Sequence, residues 1–160
     1  MATMDDIDSA IIGYLQRDGR LTNRELARLT GIAPSTCLER VRNLRARGVI
    51  TGYHAAVDPR ALGRSLQALI FARLRPLSRE VITSFQGYLS GLPEVLSVLV
   101  VSGDEDFVIH VAVPTIEHLH AFLMDRVSAR REVVNFRSSV IYQQTVTQVL
   151  TPIEAPGQHG

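Results

Sequence analysis

The chain has 160 residues, of which 46% are hydrophobic and 21% charged, with 7 prolines and 11 glycines. This composition is typical of a folded globular protein and excludes a fibrous or a disordered chain. The net charge of +1 comes from 17 basic and 16 acidic residues, and every one of the 17 basic residues is arginine. The length suits one domain or two small modules, so the order of the residues has to decide between them.

Cysteine usage and hydropathy indicate the compartment. The chain has one cysteine, Cys37, so it forms no internal disulfide and needs no oxidising environment. Its acidic start lacks the basic and apolar regions of a signal peptide. The apolar stretches 96–101 and 107–113 have the length of strands, far below the roughly 18 residues of a membrane span. We therefore expect a cytoplasmic protein without a membrane segment.

Charge and periodicity both change near residue 60. Residues 17–60 hold nine arginines against four acidic residues, a local balance of +5, whereas no arginine lies between Arg79 and Arg126. Apolar residues follow helical spacing before residue 48 and alternate strand-like and helical patterns after residue 65. The sequence therefore predicts two modules, with these parts: residues 1–50, a linker over 51–65, residues 66–150 and a flexible Pro/Gly-rich tail over 151–160.

Three short helices are predicted in the first module. The first ends at Gly19. The second begins at Thr22, which stands in capping-box spacing with Glu25, and ends at Gly31. The third begins at Pro34, a residue suited to the first helical position. Its apolar residues recur at offsets of 0, 4 and 7 and are predicted to face the core: Cys37, Val41 and Leu44.

Two short helices joined by a tight turn containing glycine, the second rich in arginine, are typical of a helix-turn-helix that binds double-stranded DNA. Polar side chains of the third helix must then face outward, where they can bond base edges or phosphates. Those predicted to read or orient the DNA are Ser35, Thr36, Glu39, Arg40 and Asn43. Those predicted to neutralise phosphates are Arg42, Arg45 and Arg47. The alternative is a helix whose arginines only keep it soluble.

The second module predicts the order β-α-β-β-α-β of the ferredoxin-like split motif, which makes the fold class α+β. Its strands are expected over 66–75, 94–102, 106–113 and 133–147, and its helices over 78–90 and 115–128. Both faces of the first strand are apolar, with Ala68 and Ile70 on one and Leu69 and Phe71 on the other. Because two helices cover only one face, we expect a homodimer through the other.

The histidines predict no metal site. His118 and His120 lie two positions apart on a predicted helix, about 200° from one another, so they cannot chelate one ion together. His110 and His54 stand alone in a strand and in the linker. No cluster of catalytic residues is visible in the sequence, and we expect no cofactor.

Several motifs together resemble the Lrp/AsnC (leucine-responsive regulatory protein, or feast/famine) family of transcription factors over residues 4–150. They are the opening 4–11, the segments 26–31 and 34–38, the stretch 48–53, the linker pieces 57–59 and 62–63, and the loop 101–107. One departure is Ala33, where the family usually has a serine that caps the recognition helix. Its absence is expected to cost about 1 kcal/mol of capping.

The resemblance implies an N-terminal winged helix-turn-helix, a linker that carries a strand, and a C-terminal ligand-sensing RAM domain. It also implies a transcriptional regulator rather than an enzyme, homodimers that assemble into octamers, and small-molecule effectors, typically amino acids. Carried over to this chain, the effector site comprises Gly103, Asp104, Glu105 and Asp106, with Ser138 and Ser139 on the last strand.

Three alternatives remain open at this point. The loop 103–106 has the composition of an ordinary solvated hairpin turn as well as that of an effector site. Some proteins of similar architecture, the sirohaem decarboxylases, are enzymes. A third possibility is an assembly or sensing subunit that does not bind DNA.

Overall fold

The computed structural model describes residues 4–147 and 149–153, and these form two compact units. The first unit contains the described residues up to Ala56 and those from Thr145 onward, and the second is Val57–Gln144. Residues 57–65 of the predicted linker lie in the second unit, and residues 145–147, 149 and 150 lie in the first. Of the predicted flexible tail, residues 151–153 are in the first unit, and 154–160 lie outside the described residues.

The first unit contains three helices, α1 (Asp6–Arg17), α2 (Asn23–Thr30) and α3 (Pro34–Ala46). Local side chains fix where they begin. Asp5 caps α1 by accepting from the backbone amide of Asp8 at 2.7 Å. Thr22 and Glu25 form the predicted capping box of α2, and Gly31 ends that helix at φ 69°, in the left-handed region. The predicted order of three short helices is confirmed.

The core of the first unit comes from the predicted apolar faces of the helices. Its fully or nearly fully buried members are Ile11, Leu26, Ala27, Cys37 and Leu44. Burial raises the pKa of the Cys37 thiol, so the side chain acts as a small core hydrophobe rather than as a thiolate nucleophile.

The linker strand that the resemblance implies is not formed by the described residues of the single chain. Residues 49–58 are described and carry no strand assignment, and the linker contains instead a short 3-10 helix, Pro59–Leu62. Asp58 begins that helix by accepting from the amide of Arg60 at 2.9 Å. Strand propensity alone does not make a strand, because the backbone also needs a neighbouring segment with which to pair.

The second unit has the predicted β-α-β-β-α-β order. Its elements are β1 (Leu66–Leu74), α4 (Arg79–Ser90), β2 (Val95–Val100), β3 (Phe107–Val113), α5 (Ile116–Phe122), a π-helical continuation of α5 (Leu123–Ser128) and β4 (Val133–Val140). The strands pair antiparallel in the order β2-β3-β1-β4. This ferredoxin-like arrangement confirms the predicted α+β class.

The last strand is shorter than predicted. It ends at Val140 rather than near residue 147, because its partner β1 begins at Leu66 and no strand pairing is assigned beyond Ala68–Val140. A final bond from the amide of Ile141 to the carbonyl of Gln67, 2.9 Å long, closes the ladder.

The two faces of the sheet differ in burial. On one face Ala68, Ile70, Ala72 and Leu74 are fully buried in a core shared with α4 and α5. The opposite face, called here the outer face, carries Leu69, Phe71, Leu99 and Val108, which are exposed or half-buried. The guanidinium of Arg137 lies 3.7 Å from the ring centroid of Phe71. The chain thus leaves an apolar sheet face uncovered by its own helices, as the alternating pattern predicted.

The chain returns to the first unit after the sheet. Gln16 on α1 donates to the carbonyl of Leu150 at 2.9 Å and accepts from its amide at 2.8 Å. Residues 149–152 border a pocket of about 760 Å³ together with α1 and residues 49–53. Paired backbone bonds of this kind hold a segment by its main chain rather than by its side chains.

In the described part of the chain no helix is both long and apolar enough to cross a membrane.

Candidate nucleic-acid interface and effector loop

Helix α3 turns a largely polar face to solvent, although one apolar side chain of the helix, Leu38, is also exposed. Cys37 and Leu44 are at most 1% exposed, so the opposite side of the helix must face outward. Four predicted DNA-reading residues are exposed there: Ser35, Thr36, Glu39 and Asn43. Their hydroxyl, carboxylate and amide groups are types that bond base edges in the major groove.

The predicted phosphate-binding arginines are also exposed, namely Arg42, Arg45 and Arg47. Among the described residues, neither Arg42 nor Arg45 has an ion-pair partner. Their charges are therefore not neutralised within the described fold, and they can attract an anionic backbone.

The start of α3 is built differently from the starts of the other helices. Ala33 is the N-cap and supplies no side-chain bond, which confirms the departure noted in the sequence. The amides of Ser35 and Thr36 precede the first intrahelical bond, which runs from Cys37 to the carbonyl of Ala33 at 3.0 Å. The side-chain amide of Asn23 on α2 donates to the carbonyl of Pro34 at 2.8 Å. This bond joins α2 to the first turn of α3, but it supplies a donor rather than an acceptor and so does not replace the missing cap.

Arg40 differs from its predicted companions in its surroundings. Its Nη1 lies 2.6 Å from an oxygen of Asp5 and 2.8 Å from an oxygen of Asp8. The amide of Asp8 and the Arg40 guanidinium hold the pKa of Asp5 below its ordinary value. In turn, the hydrogen bonds that Arg40 donates to Asp5 and Asp8 raise the pKa of Arg40.

Helical geometry accounts for the position of Arg40. At about 100° per residue, Arg40 lies about 60° from Cys37 and about 40° from Leu44 around the helix axis. It therefore flanks the buried stripe rather than the centre of the exposed face, and its side chain is 28% exposed. This spacing was available in the sequence, whereas its carboxylate partners on α1 were not.

Two further exposed arginines lie on α2 near the start of α3, and they are not among the residues predicted from the sequence to bind DNA. Arg24 and Arg28 are exposed on α2 and border a shallow depression together with Pro34 at the start of α3. They stand four positions apart, the spacing that places two side chains on one helical face. That spacing is the signal that would have identified them.

The predicted effector loop joins β2 to β3 and turns at Gly103, whose φ of 130° disfavours a residue with a Cβ. The carboxylate of Asp106 is already bonded to other groups of the protein. Its carboxylate accepts from the amide of Leu74 at 2.7 Å and lies 3.4 Å from Arg75. The backbone carbonyl of Asp104 accepts from the Nε of Arg73 at 2.6 Å. The bonds to Arg73 and Leu74 attach the loop to β1 at Asp104 and at Asp106.

In the loop, the carboxylate of Glu105 uses only part of its hydrogen-bonding capacity within the described fold. One of its carboxylate oxygens lies 3.5 Å from the guanidinium of Arg137 on β4, and its side chain is 16% exposed. Among the described atoms the other oxygen, Oε2, is buried and has no hydrogen-bond partner. A buried acceptor without a donor is unfavourable, and a ligand with a charged N–H group would satisfy it.

The structure does not place the two predicted serines together. Ser138 pairs with Ile70 and Ser139 with Leu69, so their side chains project to opposite faces of the sheet. Arg137 of β4 instead forms an ion pair with the loop, at Glu105, and it is not among the residues predicted from the sequence. Nothing local identifies it, because the contact depends on the register of β4 against β1.

Metal ligation receives no support from the described residues, where no group of three or more His, Cys, Asp or Glu side chains is placed to hold an ion.

Comparison with known proteins connects the two units with established families. Residues 4–51 match the family described as winged helix-turn-helix DNA-binding, and residues 67–150 match the Lrp/AsnC ligand binding domain. The transcriptional regulator AldR of Mycolicibacterium smegmatis is 39% identical over 140 residues, which cover 88% of this chain and 82% of that protein. The leucine-responsive regulatory protein of Salmonella typhimurium is 33% identical over 141 residues, covering 88% and 86%.

A solved structure agrees with these matches. A transcriptional regulator from Neisseria meningitidis, crystallised as its complex with L-methionine, superposes with a TM-score of 0.85 at 29% identity, covering 92% of this chain and 96% of that one. The relatives are named as regulators, which confirms the expectation of a transcriptional regulator rather than an enzyme. The sequence matches to both domains and the shared fold lead to one conclusion: the chain belongs to the Lrp/AsnC family of transcriptional regulators.

Proposed function

We propose that the regulator reads its operator with α3 in the major groove. In this arrangement the exposed polar side chains of α3 meet base edges: Ser35, Thr36, Glu39 and Asn43. The exposed arginines of α3 contact phosphates: Arg42, Arg45 and Arg47. One observation carries this proposal: α3 buries Cys37 and Leu44 to at least 99%, and on its exposed polar side Arg42 and Arg45 have no ion-pair partner among the described residues.

The outer face of the sheet supports a homodimer. Leu69, Phe71, Leu99 and Val108 form an apolar surface, and a second copy of the chain would remove it from water. Such a dimer would present two α3 helices to half-sites about one helical turn of DNA apart. We further propose that dimers assemble into an octamer, as the family resemblance implies, and that the protein acts in the cytoplasm.

The effector we propose is an amino acid bound at the loop 103–106. The unpartnered oxygen of Glu105 would accept from its ammonium group, and the backbone turn at Gly103 would offer an amide to its carboxylate. Ser138 and Ser139 remain weaker candidates from β4. The L-methionine complex of the related Neisseria meningitidis regulator supports this ligand class.

The DNA contacts are tested by the salt dependence of binding. Arg45→Ala removes one proposed phosphate contact from each protomer, and each lost contact lowers the slope of log K against log salt by about 0.9. Arg131→Ala, which alters an exposed arginine of the second unit, is the matched control. Fluorescence anisotropy on a selected operator fragment should show a shallower slope for Arg45→Ala alone. Equal slopes for both variants and the parent would refute this contact.

The effector site is tested by calorimetry and thermal shift against the amino acids. A ligand at 100 times its dissociation constant stabilises the protein by about 2.7 kcal/mol. Glu105→Gln should lose that shift, because a neutral amide no longer pairs with the ammonium group, whereas Glu117→Gln, at an exposed site on α5, should keep it. A response that survives Glu105→Gln unchanged would contradict the proposed site.

A further inference from the structure

Arg40, Asp5 and Asp8 form an ion cluster between α1 and α3, called here the α1–α3 cluster. We infer that this cluster makes Arg40 a positioning residue, which orients the recognition helix from within the protein and does not itself contact DNA. The inference rests on the proposed DNA interface. It removes Arg40 from the residues that contact DNA, because Arg40 influences specificity only through the placement of its neighbours on α3.

In the cluster the guanidinium of Arg40 is bonded to two carboxylates of the protein itself. A single nitrogen, Nη1, lies between Asp5 and Asp8, which are 35 and 32 residues away along the chain. Asp8 is the most enclosed of the three, with a side chain 12% exposed, compared with 28% for Arg40 and 52% for Asp5. Asp5 is also tied down, since its other oxygen accepts from the amide of Asp8 at 2.7 Å.

Transfer of Arg40 to a DNA phosphate is therefore unfavourable. The guanidinium would exchange two carboxylates for one phosphate, and the enclosed carboxylate of Asp8 would lose its cation. A carboxylate that is shielded from water and loses its counter-charge destabilises the fold strongly. Arg42 and Arg45 leave no such carboxylate behind, because among the described residues they have no ion-pair partner.

The cluster is well placed to fix the orientation of the reading face. Thr36 and Asn43 lie four positions before and three positions after Arg40, on the adjacent strip of the helix surface. Any rotation of α3 that moves these two side chains relative to the DNA also pulls Arg40 away from α1. Sub-ångström placement of reading side chains is what hydrogen-bonded recognition requires, so an anchor one turn away influences it directly.

Three variants separate positioning from direct contact: Arg40→Ala, Asp8→Asn and the double variant. The full-length protein is titrated with its selected operator and with a scrambled fragment over a range of salt concentrations. Positioning predicts that both single variants lower the preference for operator by a similar factor. It also predicts that the double variant is within about twofold of Arg40→Ala, because both changes break one interaction, and that the salt slope of Arg40→Ala equals that of the parent.

Direct contact predicts different results and would overturn the inference. If Arg40 binds phosphate, Arg40→Ala lowers the salt slope by about 0.9 per lost contact. In that case Asp8→Asn leaves affinity unchanged or raises it, since it releases the guanidinium. Asp5→Asn, at the exposed end of the cluster, repeats the test with less risk to folding.

A measurement without DNA separates this inference from the proposed function. Denaturant unfolding of the same four proteins should give non-additive losses of stability for Asp8→Asn and Arg40→Ala. Additive losses of stability would show that Asp8 and Arg40 do not stabilise one another, and would refute the inference even if operator binding is intact. Parent protein that binds operator and scrambled DNA equally would instead refute the proposed function, whatever the coupling in the free protein.

Discussion

Helix α3 lacks a side-chain cap, and Ala33→Ser should supply one. Ala33 already has the backbone geometry of an N-cap, with φ −66° and ψ 144°, close to the φ −71° and ψ 156° of Thr22 at the start of α2. A serine hydroxyl at this position can accept from the amide of Thr36, the third residue of the helix. No rearrangement of the backbone is needed to form that bond.

The expected gain is about 1 kcal/mol, since replacing an N-cap serine by alanine costs about 0.5–2 kcal/mol. Ala33 is exposed, so the new hydroxyl stays in contact with water and carries little desolvation penalty. The third helical residue is Thr36 rather than a glutamate, so a reciprocal capping box does not add to the gain. For a unit of this size, 1 kcal/mol corresponds to a rise in Tm of about 4–8 °C.

Urea unfolding of the full chain, followed by circular dichroism, measures this gain. Ala46→Ser, at the last position of α3, is the matched control and should be slightly destabilising because serine is a weaker helix former than alanine. If Ala33→Ser is no more stable than the parent, the start of α3 does not have the geometry described here.

Three other outcomes follow from the structure. Phe85 is fully buried, with its ring 5.0 Å from that of Phe107, so Phe85→Ala should lower the unfolding free energy by about 3–5 kcal/mol in urea; a loss below 1 kcal/mol would contradict that packing. Gln16→Ala removes both bonds to Leu150 and should accelerate amide exchange in residues 149–151, whereas unchanged exchange would show that Gln16 does not hold the segment. Burial holds the pKa of His110 below its ordinary 6.5, so the folded state disfavours the imidazolium, and stability should fall as the pH drops below about 6.5; His110→Gln should reduce that fall, and an equal fall in both proteins would assign it to other groups.

Local signals in the sequence were enough to place the helices and the polar face of α3. The capping box at Thr22 and Glu25 involves residues three apart, and the buried stripe of Cys37 and Leu44 follows from helical periodicity alone. The alternation in β1 predicted both its buried face and its apolar outer face. These features depend on near neighbours in the chain, which is why the residue order reveals them.

Features that depend on distant partners were not predictable in the same way. Arg40 looks like its arginine neighbours in sequence, and only the fold brings Asp5 and Asp8 to it from more than 30 residues away. The contact of Glu105 with Arg137 depends on how β4 aligns with β1. The linker strand that the resemblance implies is not formed by the described residues of the single chain, because strand pairing requires a second segment of backbone.

The most direct test of DNA recognition by α3 uses the unmodified chain. Fragments selected by the protein from a random-sequence pool are compared with scrambled versions of the same composition, by anisotropy at physiological salt. If α3 recognises DNA, binding to the selected fragment should be at least about 10³-fold tighter than to the scrambled one, with an affinity that falls steeply as salt rises. Equal affinity for both fragments, or no binding to either, would contradict that recognition.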